Sequence, residues 1–96
     1  MDIEFADAPD RHRYELRSGD ELIGMVAYRL DGDVITLVHT EVASTHSGHG
    51  YAATLARGAL DDARSRGLRV VPSCPYVASY LEKHPEYADL VASEET

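Results

Sequence analysis

The sequence EVASTHSGHGYA, from Glu41 to Ala52, connects a strand pattern to a helical pattern through a loop that contains two glycines. A strand that runs into such a loop and then into a helix leaves several backbone N–H groups without partners where the helix begins. Those donors and the positive end of the helix dipole form a site for a phosphate group. The segment therefore predicts a phosphate-bearing small molecule as the ligand.

The residues before this loop alternate between apolar and polar side chains, as β-strands do. One short strand is predicted to end at Phe5, and three more to run from Arg13 to Arg17, from Leu22 to Leu30 and from Val34 to Val42. In the fourth strand, strict alternation places one set of side chains on a single face: Ile35, Leu37, His39 and Glu41. The short turns between the strands predict an antiparallel meander.

The residues after the loop recur at helical spacing from Gly48 to Arg66, with a stripe made mostly of alanine and Gly67 as the C-terminal cap. A short strand is predicted from Leu68 to Val71. A second helix is predicted to begin at Pro75, with Cys74 in the capping position. The sequence therefore predicts an α/β (α+β) fold with a mixed, mostly antiparallel sheet in the order β-β-β-β-α-β-α.

Composition limits the classes of function. The chain has 96 residues, which predicts one domain spanning residues 1–96, and its net charge of −8 argues against nucleic acid or an anionic membrane as a partner. A single cysteine and an acidic N-terminus without signal-peptide features lead us to expect a cytoplasmic protein. Residues 42–81 carry more arginines than acids, which suits an anionic ligand there, or else a solvated helix face.

Three kinds of glycine loop bind phosphates. A nucleoside-triphosphate loop requires a lysine after its last glycine, but Lys83 is the only lysine in the chain. A dinucleotide loop is matched by Gly48, Gly50 and Ala53, but the strand that follows the helix ends without the acidic residue that would hold a ribose. In the third kind, Gly48-His49-Gly50 resembles the coenzyme A pyrophosphate loop of the GNAT superfamily of N-acetyltransferases, whose signature is Gln/Arg-x-x-Gly-x-Gly/Ala.

This resemblance extends along most of the chain, with Thr45 standing where Gln or Arg is usual. The segments His39–Val42, Val71–Val77 and His84–Tyr87 are together similar to a compact GNAT subfamily of about this length. The resemblance implies an acetyl-CoA-binding fold that is truncated at the C-terminus relative to larger members. It also implies that the acetyl-CoA or coenzyme A is held by the backbone of Val42 and Ser44 and by the loop and helix residues Ser47, Gly48, His49, Gly50, Tyr51 and Ala52.

Acetyl transfer needs a base for the amine and an acid for the leaving thiolate. Glu41 and His39 are the candidate bases. The alternative is that one of these side chains holds the neighbouring strand in place. Cys74 is a candidate nucleophile because a helix N-terminus lowers a thiol pKa, although a lone cysteine is more often a buried apolar residue. Tyr76 is the candidate acid, whereas Tyr80 falls on the apolar stripe of its helix and is expected in the core. No metal site is predicted, because His46 and His49 are too few ligands.

Two functions from different classes remain open. The first is an acetyl-CoA-dependent N-acetyltransferase that acts on an unidentified amine, either a small molecule or a protein. The second is a non-catalytic module on the same fold that binds coenzyme A or acyl-CoA, or a protein partner. The acidic N-terminal third of the chain leads us to expect a cationic acceptor.

Overall fold

The computed structural model describes residues 3–46, 48 and 50–92. Its strands are β1 (Glu4–Ala8), β2 (Arg13–Ser18), β3 (Glu21–Asp31), β4 (Val34–Val42) and β5 (Arg69–Pro72). Its α-helices are α1 (Tyr51–Ser65) and α2 (Pro75–Lys83), and 3-10 turns cover Pro9–Arg11, Ser44–His46 and Pro85–Leu90. These bounds confirm the predicted order of elements and the α/β (α+β) fold class.

The five strands form one sheet in the order β1-β2-β3-β4-β5. The first four strands pair antiparallel through short turns. The fifth pairs parallel to β4, which requires a crossover connection, and α1 provides it. The sheet is therefore mixed and mostly antiparallel, as predicted.

The helices pack on one face of the sheet, and the core lies between the helices and the sheet. The predicted alanine stripe of α1 is fully buried there at Ala56, Ala59 and Ala63. Small side chains let a helix backbone approach the sheet closely, and the sheet contributes larger apolar side chains that fill the layer: Tyr14, Leu16, Val26, Ile35 and Leu37. We call this side of the sheet the helix face and the opposite side the open face.

The pairing of β3 with β4 shifts by one residue near the middle of the strands. Ala27 pairs with His39 and Tyr28 pairs with Leu37, so Val38 has no partner on β3. An extra residue of this kind is a β-bulge, and it reverses the alternation of side chains beyond it. The two ends of β4 therefore follow opposite alternation patterns.

The predicted face assignment in β4 is wrong beyond the bulge. Ile35 and Leu37 are buried against the helices. Thr40 lies on that same helix face, where its hydroxyl is 3.2 Å from the sulfur of Cys74. His39 and Glu41 consequently lie on the open face rather than beside the two apolar residues.

The helices described over residues 3–46, 48 and 50–92 are all too short or too polar to cross a membrane.

Candidate active site

A gap opens between β4 and β5 in the middle of the sheet. The two strands pair from Val34 to Leu37 of β4, and β5 ends at Pro72. The carbonyl of Leu37 then accepts a hydrogen bond from the amide of Cys74, at 2.8 Å. Since β4 continues to Val42, its last residues have no β5 partner in the described part of the chain.

The backbone at the end of β4 presents alternate residues to this gap. The amide of Ala43 donates to the carbonyl of Ile23 on β3, at 2.8 Å. Because successive residues of a strand direct their backbone groups to opposite sides, Val42 directs its groups toward the gap, and Ser44 follows in the 3-10 turn beyond the strand. Val42 and Ser44 are the two residues whose backbone is predicted to hold the coenzyme A arm, and that role stays a prediction.

The glycine loop lies between the end of β4 and the start of α1. Gly48 and Gly50 have φ angles of 85° and 75°, in the left-handed region that glycine adopts without strain. Apart from the chain neighbours, no described residue lies within 4 Å of a β-carbon added at either glycine. Gly50 caps α1, whose first amides, at Tyr51 and Ala52, have no acceptor within the helix. The predicted ligand-binding residues Ser47 and His49 lie outside the described residues.

Cys74 lies where β4 and β5 part, and it is the N-cap of α2 as predicted. Cys74 is only 3% exposed. Burial raises the pKa of the thiol, but hydrogen bonds from the Thr40 hydroxyl and from the amides of Val77, Tyr76 and Thr40 outweigh burial, and the pKa is lowered. The thiol of Cys74 therefore has a lowered pKa at the point where β4 and β5 separate.

His39 and Glu41 are brought together as the sequence predicts, since the Nε2 of His39 is 3.8 Å from a carboxylate oxygen of Glu41. Both side chains are exposed, at 59% and 68% respectively, so neither holds a neighbouring strand in place. They lie on the open face, whereas Cys74 contacts the helix face of β4. The structure therefore places the candidate bases and the candidate nucleophile on opposite sides of one strand.

The two tyrosines of α2 differ in surroundings. Tyr76 is 39% exposed near the start of the helix. Tyr80 is buried and stacks on the ring of His84 at 4.0 Å between centroids. The expectation that Tyr80 belongs to the core is confirmed, and the role of Tyr76 stays a prediction.

Some residues of this region were not found from the sequence. Thr40 is one, because only the bulge turns its side chain toward Cys74. The surroundings of His46, which the sequence analysis considered only as a metal ligand, were also not predicted: its ring contacts the carboxylate of Glu21 at 2.9 Å and lies against Tyr51. Over the described residues, no three His, Cys, Asp or Glu side chains gather where they could hold a metal ion.

A cavity of about 290 Å³ lies at the end of the β3–β4 pair, next to Glu41. It is lined by residues 22–25 of β3 and residues 41–44 around the end of β4. Leu22 and Met25 give it apolar walls, and Glu41 supplies a carboxylate.

Comparison with known families bears on this arrangement. A family model described as GCN5-related N-acetyl-transferase matches residues 13–90. That range includes β2 to α2, the glycine loop and Cys74. It therefore contains every candidate catalytic residue.

Three solved structures share the fold. A GCN5-like candidate N-acetyltransferase of Staphylococcus aureus, solved by NMR, is 23% identical with a TM-score of 0.71, and the match covers 96% of this chain and 90% of that one. The ribosomal-protein-S18-alanine N-acetyltransferase of Escherichia coli is 17% identical with a TM-score of 0.59, covering 74% of this chain and 48% of its own. The ribosomal-protein-alanine N-acetyltransferase of Brucella melitensis biovar Abortus 2308 is 22% identical with a TM-score of 0.58, covering 88% and 63%. The chain thus spans less than two thirds of the two ribosomal-protein enzymes.

Proposed function

The chain belongs to the GCN5-related N-acetyltransferase family, and from that membership we propose that it transfers an acetyl group from acetyl-CoA to an amine. The observation that carries the proposal is the gap beyond Leu37, which places an unpaired strand edge beside the glycine loop at the start of α1. A pantetheine arm pairs with such an edge through amide hydrogen bonds, and a pyrophosphate binds the amides of such a loop. The lone cysteine leaves the cytoplasm as the proposed location.

In the direct route, the amine loses a proton to Glu41 or His39 and its nitrogen attacks the thioester carbonyl. The carbon–sulfur bond then breaks, and the departing thiolate of coenzyme A takes a proton from the hydroxyl of Tyr76. A base whose side chain is exposed can meet an acceptor that arrives from solvent. The positions of Glu41 and His39 on the open face support the arrival of the acceptor from that side.

In the second route, Cys74 acts first. Its thiolate attacks the thioester carbonyl, coenzyme A leaves as a thiolate, and the acetyl group is held on Cys74. The amine, after loss of a proton to Glu41 or His39, then attacks the acetyl carbonyl, and the carbon–sulfur bond breaks to release the Cys74 thiolate. The lowered pKa of the thiol supports this route. The two routes differ in one observable, because only the second forms an acetyl-enzyme.

Incubation with acetyl-CoA in the absence of an amine separates these routes. Mass spectrometry of the wild-type protein should then show one added acetyl group that is absent from Cys74→Ala if the second route holds. Equal acetylation of both proteins would rule out the thiol intermediate. Retention of most amine acetylation by Cys74→Ala would leave direct transfer as the mechanism.

The cofactor site is tested by calorimetric titration of coenzyme A. Gly50→Ala should weaken binding about tenfold, because a methyl group at a φ of 75° strains the loop and occupies space beside the amides of α1. Gly19→Ala is the matched control, since Gly19 has a φ of 60° in a distant turn with equal room, and it should leave the affinity unchanged. The absence of any coenzyme A binding to the wild-type protein would contradict the proposal.

The alternative is a non-catalytic module that binds coenzyme A or a protein partner. Thr45 favours it, because a short side chain stands where the family pattern has Gln or Arg. Binding of acetyl-CoA without release of free coenzyme A in the presence of amino acids, polyamines and peptides would indicate the module.

A further inference from the structure

The open face of the sheet carries a row of charged side chains to which the proposed chemistry assigns no role. Paired residues of an antiparallel sheet share a face, so the register arranges its side chains in rows across the strands. One row runs from His39 across Ala27 to Arg13. The next row runs from Glu41 across Met25 to Glu15.

Glu15 lies at the β2 end of these rows and is surrounded by arginines. Its carboxylate contacts Arg13 at 2.7 Å, Arg17 at 2.9 Å and Arg11 at 3.2 Å. Three guanidinium groups around one carboxylate leave this cluster with a net positive charge. The side chains of Arg13 and Arg17 are 24% and 33% exposed, so their charge reaches the surface.

The guanidinium of Arg13 also has donors to spare. It bonds Glu15 through Nε, and its two terminal nitrogens donate to no acceptor among the residues that the structure describes. A guanidinium with two adjacent N–H groups directed to one side is the geometry that binds a carboxylate. The cluster therefore holds Glu15 and can still accept a second carboxylate from solvent.

The two ends of these rows differ in charge. Glu41 and His39 are on β4 and the arginines are on β2, two strands away, which corresponds to about 10 Å. Ala27 lies between them, and its small side chain leaves the surface open there. The acidic residues of the N-terminal third are divided among several places: Asp7 bonds Tyr28 on the helix face, Glu21 bonds His46, and Glu4 pairs with Arg17 across β1 and β2.

We propose that the open face binds the acceptor, and that the acceptor is an amine that carries a carboxylate about 10 Å from its nitrogen. The amine lies at Glu41 and His39, and the carboxylate lies at Arg13 and Arg17. An extended peptide with a free N-terminus and an acidic third residue has these dimensions. This inference rests on the proposed acetyltransferase function, and it differs from the cationic acceptor that the sequence predicts.

Three tetrapeptide amides test it: Ala-Ala-Glu-Ala, Ala-Ala-Gln-Ala and Ala-Ala-Lys-Ala. The glutamate peptide should be acetylated with a kcat/KM about five- to tenfold above that of the glutamine peptide, as one charge-assisted contact provides. The lysine peptide should be the poorest, because its ammonium meets the arginines. The preference should shrink as salt is raised. Equal rates for the three peptides, or a preference for lysine, would overturn the inference.

Variants assign the preference to the cluster. Arg13→Gln should bring the glutamate-to-glutamine ratio close to one, and Arg13→Lys should restore part of it. Arg64→Gln is the matched control, since Arg64 pairs with Asp89 away from this cluster and is also partly exposed. A ratio that is unchanged in Arg17→Gln and in Arg13→Gln would exclude the cluster as the binding site.

A second measurement does not depend on turnover. Titration of the glutamate peptide into ¹⁵N-labelled protein should shift the amide signals of Met25, Ala27 and His39, and the lysine peptide should not. If coenzyme A fails to bind, the proposed function fails, whereas these shifts still report on the acceptor surface. If peptides are acetylated without these shifts or the preference, the acceptor inference fails and the proposed function stands.

Discussion

At the scale of single residues, Glu15 shows how a charge is kept on the open face. Burial raises its pKa, but hydrogen bonds from Arg17, Arg13 and Arg11 outweigh burial and lower its pKa from 4.5 to about 2. A carboxylate whose pKa is lower in the folded than in the unfolded protein stabilises the fold above the unfolded pKa. That contribution is lost as the pH falls through the interval from 4.5 to about 2.

We predict that Glu15→Gln lowers the free energy of unfolding by about 2 kcal/mol at pH 7. The difference from the wild type should shrink as the pH approaches 2, since the wild-type carboxylate then becomes protonated as well. Urea unfolding at pH 7, 4 and 2.5 measures it, with the exposed Glu82→Gln on α2 as the control. A difference that is constant over this range would show that the arginines do not depress the pKa of Glu15.

Residues of the candidate site differ in how far the sequence could predict them. Cys74 was found because a proline after it marks the start of a helix, and that signal is local. Thr40 was not found, since it lies 34 positions before Cys74 in the sequence and only the bulge at Val38 places its side chain beside that cysteine. The contact of Glu15 with Arg11 was also missed, because spacing four apart indicates a pair in a helix but not across a turn into a strand.

At the scale of elements, the pairing of β3 with β4 depends on a glycine. A β-carbon added at Gly24 would lie 2.7 Å from the backbone carbonyl oxygen of Glu41 and 3.0 Å from Leu55 on α1. Backbone on a central strand cannot move aside without loss of pairing, and Leu55 is fully buried. Gly24 therefore lets β3, β4 and α1 meet at the end of the gap.

We predict that Gly24→Ala lowers the free energy of unfolding by about 3 kcal/mol. Gly58→Ala is the matched comparison, because a β-carbon there would also meet atoms at 2.7 Å, but these belong to the ring of Phe5 on the edge strand β1. That ring can shift, and alanine favours the helix by about 1 kcal/mol over glycine. Chemical denaturation of both variants measures the contrast. Equal losses of unfolding free energy in the two variants would show that the backbone beside Gly24 shifts as easily as the Phe5 ring beside Gly58.

The elements themselves could be predicted from the sequence because each has a clear period. The alternation from Val34 to Val42 and the alanine spacing of α1 are independent of the rest of the fold. The bulge at Val38 could not be predicted, since the extra residue is visible only against a partner strand. For that reason the existence of β4 was correctly predicted, whereas the face that carries His39 and Glu41 was not.

At the scale of the whole molecule, a polar network fastens the sheet to α1. The hydroxyl of Tyr14 on β2 donates to Asp62 at 2.7 Å, and Arg66 contacts both Asp62 and Asp7. Asp7 on β1 in turn accepts a hydrogen bond from Tyr28 on β3, at 2.6 Å. The network therefore connects three strands and one helix at the end of α1 away from the glycine loop.

The tyrosines of this network are held in the protonated form. Burial is the largest cause, and the neighbouring carboxylates add to it, so the pKa of Tyr14 is raised far above its usual value and that of Tyr28 to about 12. A hydroxyl that stays protonated remains a donor over the whole range in which the protein is studied.

We predict that Asp62→Ala lowers the free energy of unfolding by about 2 kcal/mol, because it leaves the fully buried Tyr14 with an unpaired hydroxyl. Tyr14→Phe removes the donor together with its need for a partner, and should cost about 1 kcal/mol. In the double variant the costs should not add, since both changes break the same hydrogen bond. Urea unfolding of the four proteins gives the coupling energy, and hydrogen exchange locates the loss in β2 and α1. Strictly additive costs would mean that Tyr14 and Asp62 are not coupled, and that apolar packing rather than this hydrogen bond holds the sheet and α1 together.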